Sequence, residues 1–111
     1  MGERGRVEKR VLEPRRVRRI RDGFSWIDRR FVNDRWVERL CCEEIALYLF
    51  LVAVADKDGL SYYSEARIAG TLKVGREEVA RARGRLVELG LVAFEPPLYQ
   101  VLELEALGRP W

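Results

Sequence analysis

The chain reads as a mainly α domain with a small antiparallel β element, an α+β class, and three observations carry that expectation. Residues 64–89 hold apolar side chains at helical spacing in two blocks split by a very short turn. Residues 45–55 form an eleven-residue apolar run, too short for a bilayer, which needs about twenty. Residues 91–104 hold two short apolar runs around Pro96 and Pro97, which suits a hairpin, because proline cannot donate to a ladder but is tolerated at a bend.

At 111 residues the chain fits one domain with a modest core. Its charge is unevenly placed. Residues 1–22 carry nine Arg or Lys against four Asp or Glu, a net of +5, and residues 23–111 carry twelve against fourteen, a net of −2. That divides the chain into a basic, flexible arm (1–22), a domain (23–104) and a short tail (105–111). Pro14 disfavours helix at Glu13, and the arm has too few bulky residues to order itself. Two readings of it stay open: a basic strap for phosphates or a minor groove through Arg15, Arg16, Arg18, Arg19 and Arg21, or a solvated tail. No apolar segment of signal-peptide length precedes Phe24, so a cytoplasmic protein is expected.

In residues 24–40, Phe24, Trp26 and Ile27 suggest a short strand, and Phe31, Val32, Trp36, Val37 and Leu40 a broken helical face. Such rings can stack on the bases of single strands; core packing against the next helix is the expected role, since aromatic residues dominate core energetics. Cys41 and Cys42 are adjacent, which rarely permits a disulfide, and without histidine they cannot complete a four-ligand zinc site. They read as small apolar residues at a helix start. Residues 43–56 then predict a helix buried on most sides, opened by Glu43 and Glu44, although the β-branched content leaves a central strand open. Gly59 closes a turn, and residues 60–63 read as a short strand running into Ser64.

Ser64 is placed to cap a helix of about two turns carrying Ile68, Ala69 and Leu72. Lys73, Val74 and Gly75 interrupt it, with Gly75 the residue free to take an unusual backbone angle. From Arg76, a second helix buries Val79, Ala82, Leu86 and Leu89 and stops at Gly90. Its other face carries Arg76, Glu77, Ala80, Arg81, Gly84, Arg85 and Glu88. Arg83 lies at the margin of the apolar stripe, its head expected to reach water or acidic partners of the Glu43 kind. Gly84 in mid-helix costs about 1 kcal/mol relative to alanine, which suggests that another backbone approaches there.

The order L-x-V-G-x-x-x-V over residues 72–79, followed by L-x-x-L-G-L-V over residues 86–92, resembles the winged helix-turn-helix family across roughly residues 41–104. The phrase A-D-x-D-G-L-S-Y-Y-S at residues 55–64 resembles the winged modules of plasmid and phage replication initiators and of small insertion-element-associated proteins. That resemblance implies a winged fold and a prokaryotic context of transcription, replication or mobile elements. It also implies a recognition helix at about residues 76–89 in the major groove of double-stranded DNA. Arg76, Glu77, Ala80, Arg81 and Arg85 would face the bases, with Arg67 and Lys73 on the backbone and Arg15, Arg16, Arg18 and Arg19 supporting from the arm. One departure is plain: the hairpin tip has Glu95 and two prolines where a gripping wing carries Lys or Arg.

No histidine, glycine-rich phosphate loop or metal-ligand set is present, so no enzyme activity, cofactor or small-molecule ligand is expected. Glu43, Glu44, Glu77 and Glu78 read as helix-start charges. The alternative function is a protein-interaction or self-association module on the same fold. A homodimer is compatible with either, with Trp26, Trp36 and Trp111 as adhesive surface.

Overall fold

The computed structural model describes residues 7–105, so the expectations on Trp111 and on residues 1–6 and 106–111 lie outside the described residues. Among the described residues the chain is mixed α and β. It runs α1 (Arg30–Asn33), α2 (Cys42–Val54), β1 (Leu60–Ser61), α3 (Glu65–Leu72), α4 (Arg76–Glu88), β2 (Val92–Glu95) and β3 (Leu98–Val101). Single 3-10 turns at Pro14–Arg16 and Trp36–Arg39 are the other helical pieces. None of these helices is long and apolar enough to cross a membrane.

Carboxylates and one hydroxyl start the three longer helices, as the spacing predicts. The Glu44 carboxylate accepts from the Cys41 N–H at 2.9 Å, Ser64 Oγ from the Arg67 N–H at 3.0 Å, and Glu78 from the Gly75 N–H at 2.7 Å. Each bond satisfies a backbone donor that a helix start leaves without an internal partner. Gly90, at φ 77°, ends α4. The turn between α3 and α4 departs from expectation. Lys73, at φ 61°, takes the left-handed position, whereas Gly75 is extended at φ −77° and precedes α4. Helix α3 winds to its last possible residue, and the Val74 N–H then donates back to the Ala69 carbonyl at 3.1 Å, which requires the left-handed turn one residue earlier.

The core lies where α2 meets α3, α4 and β3. Leu47, Leu51, Ile68 and Leu86 are essentially inaccessible and contribute about 1.5–3 kcal/mol each through burial. Phe31 stacks on Tyr48 at 4.8 Å and Trp36 is buried, so these two rings follow the packing reading. Trp36 is consequently no adhesive surface. Phe24, Trp26 and Ile27 do otherwise: they form no strand, and all three stand exposed.

Helix α2 is also less enclosed than expected. Cys42, Leu49 and Ala53, on one side of it, are exposed. The neighbours α3, α4 and β3 all pack on the other side, and among the described residues the segment of residues 22–27 runs across the open side, tied by a 3.3 Å bond from Ser25 Oγ to the Ala53 carbonyl.

The sheet is antiparallel in the order β1-β3-β2, with Leu60 opposite Gln100 and Val92 opposite Val101. The β2–β3 hairpin turns at Pro96 and Pro97, Glu95 facing Leu98, as the proline positions predict. Strand β1 ends two residues early, because Tyr63 leaves the sheet to meet Phe50 edge-on at 5.2 Å. Gly59, at φ 86°, sits so close to β3 that a side-chain Cβ there would stand 2.6 Å from the Val101 carbonyl oxygen.

Candidate nucleic-acid interface

Helix α4 commits one side to the core through Val79, Ala82 and Leu86, all at most 2% exposed. Arg76, Glu77, Arg81, Gly84 and Glu88 are exposed, while Ala80 and Arg85 are half-buried. At about 100° of rotation per residue, the ridge directly opposite the core is Glu77, Arg81, Gly84 and Glu88. Arg76 and Arg85, nine residues apart, then stand about 180° from each other on the two flanks. The three arginines therefore do not form one row. The centre of the solvent face holds two glutamates and one arginine.

Each of the three arginines has an acidic neighbour. Arg76 Nε lies 3.9 Å from Glu65 at the start of α3, and the Arg85 guanidinium is 3.4 Å from Glu88. Arg81 acts on Glu43 of α2. The carboxyl of Glu43 is held below its ordinary range first by its own backbone N–H, next by the Cys41 thiol, and further by the charge of Arg81. The Arg76–Glu65 and Arg85–Glu88 pairs are exposed enough to be worth about 0–1 kcal/mol, so a phosphate can displace them. None of the three guanidinium groups is withdrawn into the interior.

Arg67 and Lys73 are exposed on α3 and the turn, and the Arg67 guanidinium lies 5.5 Å over the ring of Tyr63. Arg15, Arg16, Arg18 and Arg19 are fully in solvent on an arm whose described residues contain one 3-10 turn and no buried side chain. The arm does not lie beside α4 through any bond or ion pair among the described residues.

Arg83 is the cation that the fold withdraws. It donates to Glu65 at 2.9 Å and to the Tyr99 hydroxyl at 3.1 Å, and lies 4.4 Å over the Phe94 ring. Its partner is thus Glu65, not an acid of the Glu43 kind, because position 83 faces the start of α3 and the hairpin, away from the start of α2. Burial alone disfavours the charged guanidinium; the Tyr99 hydroxyl and Glu65 outweigh it and hold the pKa above the ordinary arginine value. Glu65, which also neighbours Arg76, therefore joins the start of α3 to two turns of α4 on one flank. Sequence spacing gave no sign of it beyond a helix-start acid.

Gly84 has nothing within 4 Å of where a Cβ would stand, so among the described residues no backbone outside α4 approaches it. Cys41 and Cys42 are free and exposed. The Cys41 thiol is held above its ordinary pKa: the Glu44 backbone N–H lowers it, and burial with the Glu43 and Glu44 carboxylates prevails. That opposes a reactive thiolate, as the acidic neighbours predict. No family model, curated protein or solved structure matches this chain.

Proposed function

We propose that this is a winged helix-turn-helix protein that binds duplex DNA, with α4 entering the major groove and the basic arm adding affinity for phosphates. The element order α2-β1-α3-α4-β2-β3 and the three-stranded sheet support the winged reading. The observation that carries the function is the exposure of Arg76, Arg81 and Arg85 on a helix whose opposite side is core. Arg81, on the central ridge, is the base-reading candidate; Arg76 and Arg85, on the flanks, suit the two phosphate backbones that border a groove. Arg67 on α3 and Lys73 in the turn, both exposed, are the candidates for further backbone contacts. A role in transcription, replication or mobile-element biology follows from the resemblance, in a cytoplasmic protein without enzyme activity.

Glu77 and Glu88 on the central ridge, together with a hairpin tip of Glu95, Pro96 and Pro97, favour a second reading, a protein-interaction or self-association module. Duplex binding measured against salt separates the two. Replacing Arg15, Arg16, Arg18 and Arg19 by Gln should weaken binding to all duplexes and flatten the salt slope by about 0.9 per lost phosphate contact. Arg81→Ala should cost about 1–3 kcal/mol and relax preference at one base position. If the full chain binds no duplex at low salt, the DNA reading is wrong and the interaction reading stands.

A further inference from the structure

We infer that Phe24 and Trp26, with the arginines that precede them, form a stacking site for single-stranded nucleic acid, distinct from α4. Of the four large rings in residues 24–36, the fold buries Phe31 and Trp36 but leaves Phe24 62% and Trp26 80% exposed. Burying a side chain of this size is worth about 1.5–3 kcal/mol, so two rings left in water carry a cost that packing among the described residues does not offset. They do not lie on a loose loop end. Ser25, between them, is bonded to the Ala53 carbonyl of α2, and the two rings meet edge to face at 5.2 Å and 86°. An anchored residue thus holds an aromatic ring outward on either side.

Charge decides what such a pair accepts. Arg15, Arg16, Arg18, Arg19 and Arg21 all precede Phe24 by nine residues or fewer, and none has a side-chain hydrogen bond or ion pair among the described residues. The groove towards β3, which Phe24 and Trp26 border, holds Asp56, Asp58 and Glu103 against one cation, Lys57. A polyanion is therefore drawn along the arm and turned away from the groove, which leaves its bases to reach the rings. Bases inside a duplex are already stacked and cannot do this, whereas the unpaired bases of a single strand can, and every base offers a face. Of the two acids that flank the rings in sequence, Asp28 is paired with Arg30 at 2.7 Å and Asp22 has no ion pair among the described residues.

The inference does not depend on α4, and one assay keeps the two sites apart. Anisotropy of a labelled oligo-dT strand and of a duplex of equal length would be followed with the full chain across a salt series. Trp26→Ala and Phe24→Ala should each weaken single-strand binding about tenfold and leave the salt slope unchanged, because a ring releases no counterions. Trp26→Phe should recover most of the loss. Replacing Arg18, Arg19 and Arg21 by Gln should instead lower the single-strand slope by about 0.7 per contact. Arg81→Ala should affect the duplex alone. Wild-type affinity for oligo-dT in Trp26→Ala, or an equal loss on strand and duplex, would overturn the inference. So would a change confined to molecular mass, which would mean that the rings and the open side of α2 meet a second copy. Strand binding that needs Trp26 without any duplex binding would sink the function proposed for α4 and leave this site standing.

Discussion

Arg83→Met removes the guanidinium that joins α3, α4 and the hairpin while keeping the length of the apolar stem. Three contacts go. The charge-assisted bond to Glu65 is worth about 1.5–3 kcal/mol, and the Tyr99 hydroxyl, on a residue only 1% exposed, is left short of a partner. The cation over Phe94 adds about 0.5–1 kcal/mol. Such terms share one side chain and do not sum, and Glu65, at 29% side-chain exposure, recovers part of its hydration, so the expected loss is about 2–4 kcal/mol. Urea unfolding followed by far-ultraviolet circular dichroism reads this as a midpoint lowered by about 1–3 M. Glu65→Gln and the double variant complete a cycle, in which the coupling should exceed about 1 kcal/mol. Arg81→Met, on the exposed ridge, should stay within about 0.5 kcal/mol of the parent. A loss under 0.5 kcal/mol for Arg83→Met, or strict additivity with Glu65→Gln, would mean that the junction is held by apolar packing alone.

Gly59→Ala should cost at least about 2 kcal/mol, from the positive φ and the 2.6 Å approach to the Val101 carbonyl; an unchanged thermal midpoint would show that β1 can slide away from β3. Gly84→Ala should do the reverse, raising stability by about 0.5–1 kcal/mol and the midpoint by about 2–8 °C, because open space surrounds that position. If the same variant weakens duplex binding, Gly84 makes room for the partner, not for the fold. Lys73→Gly should gain up to about 1 kcal/mol by relieving the left-handed backbone, as equilibrium unfolding would report, and a loss would indicate that the lysine side chain stabilises the turn.

Much of the architecture was legible because it rests on local rules. Ser64, Glu44 and Glu78 announce helix starts by side-chain chemistry that acts within three residues, and Gly90 ends α4 through its own backbone freedom. Pro96 and Pro97 mark the hairpin for an equally local reason. The period of Val79, Ala82 and Leu86 likewise chose the buried side of α4, and with it the solvent-facing arginines. What spacing could not supply was the partner of each outward or marginal side chain. Arg83 could be placed at the edge of the stripe, yet that it would find Glu65 and Tyr99 depends on how α3 and β3 approach α4, over separations of sixteen and eighteen residues.

Composition drew no line between Phe24 and Phe31, or between Trp26 and Trp36; the packing of helices on one side of α2 did, by filling the core before Phe24 and Trp26 could enter it. The same one-sided packing left Leu49 in solvent on a helix that is apolar almost all round, because a hydrophobic side chain is buried only where a neighbour arrives to cover it. Sequence alone therefore determined the three longer helices and their starts, the hairpin and the inner side of α4, all set by forces acting within a few residues. Tertiary structure decided which cations are withdrawn and which rings stay in water, since both depend on surfaces that only the assembled fold brings together.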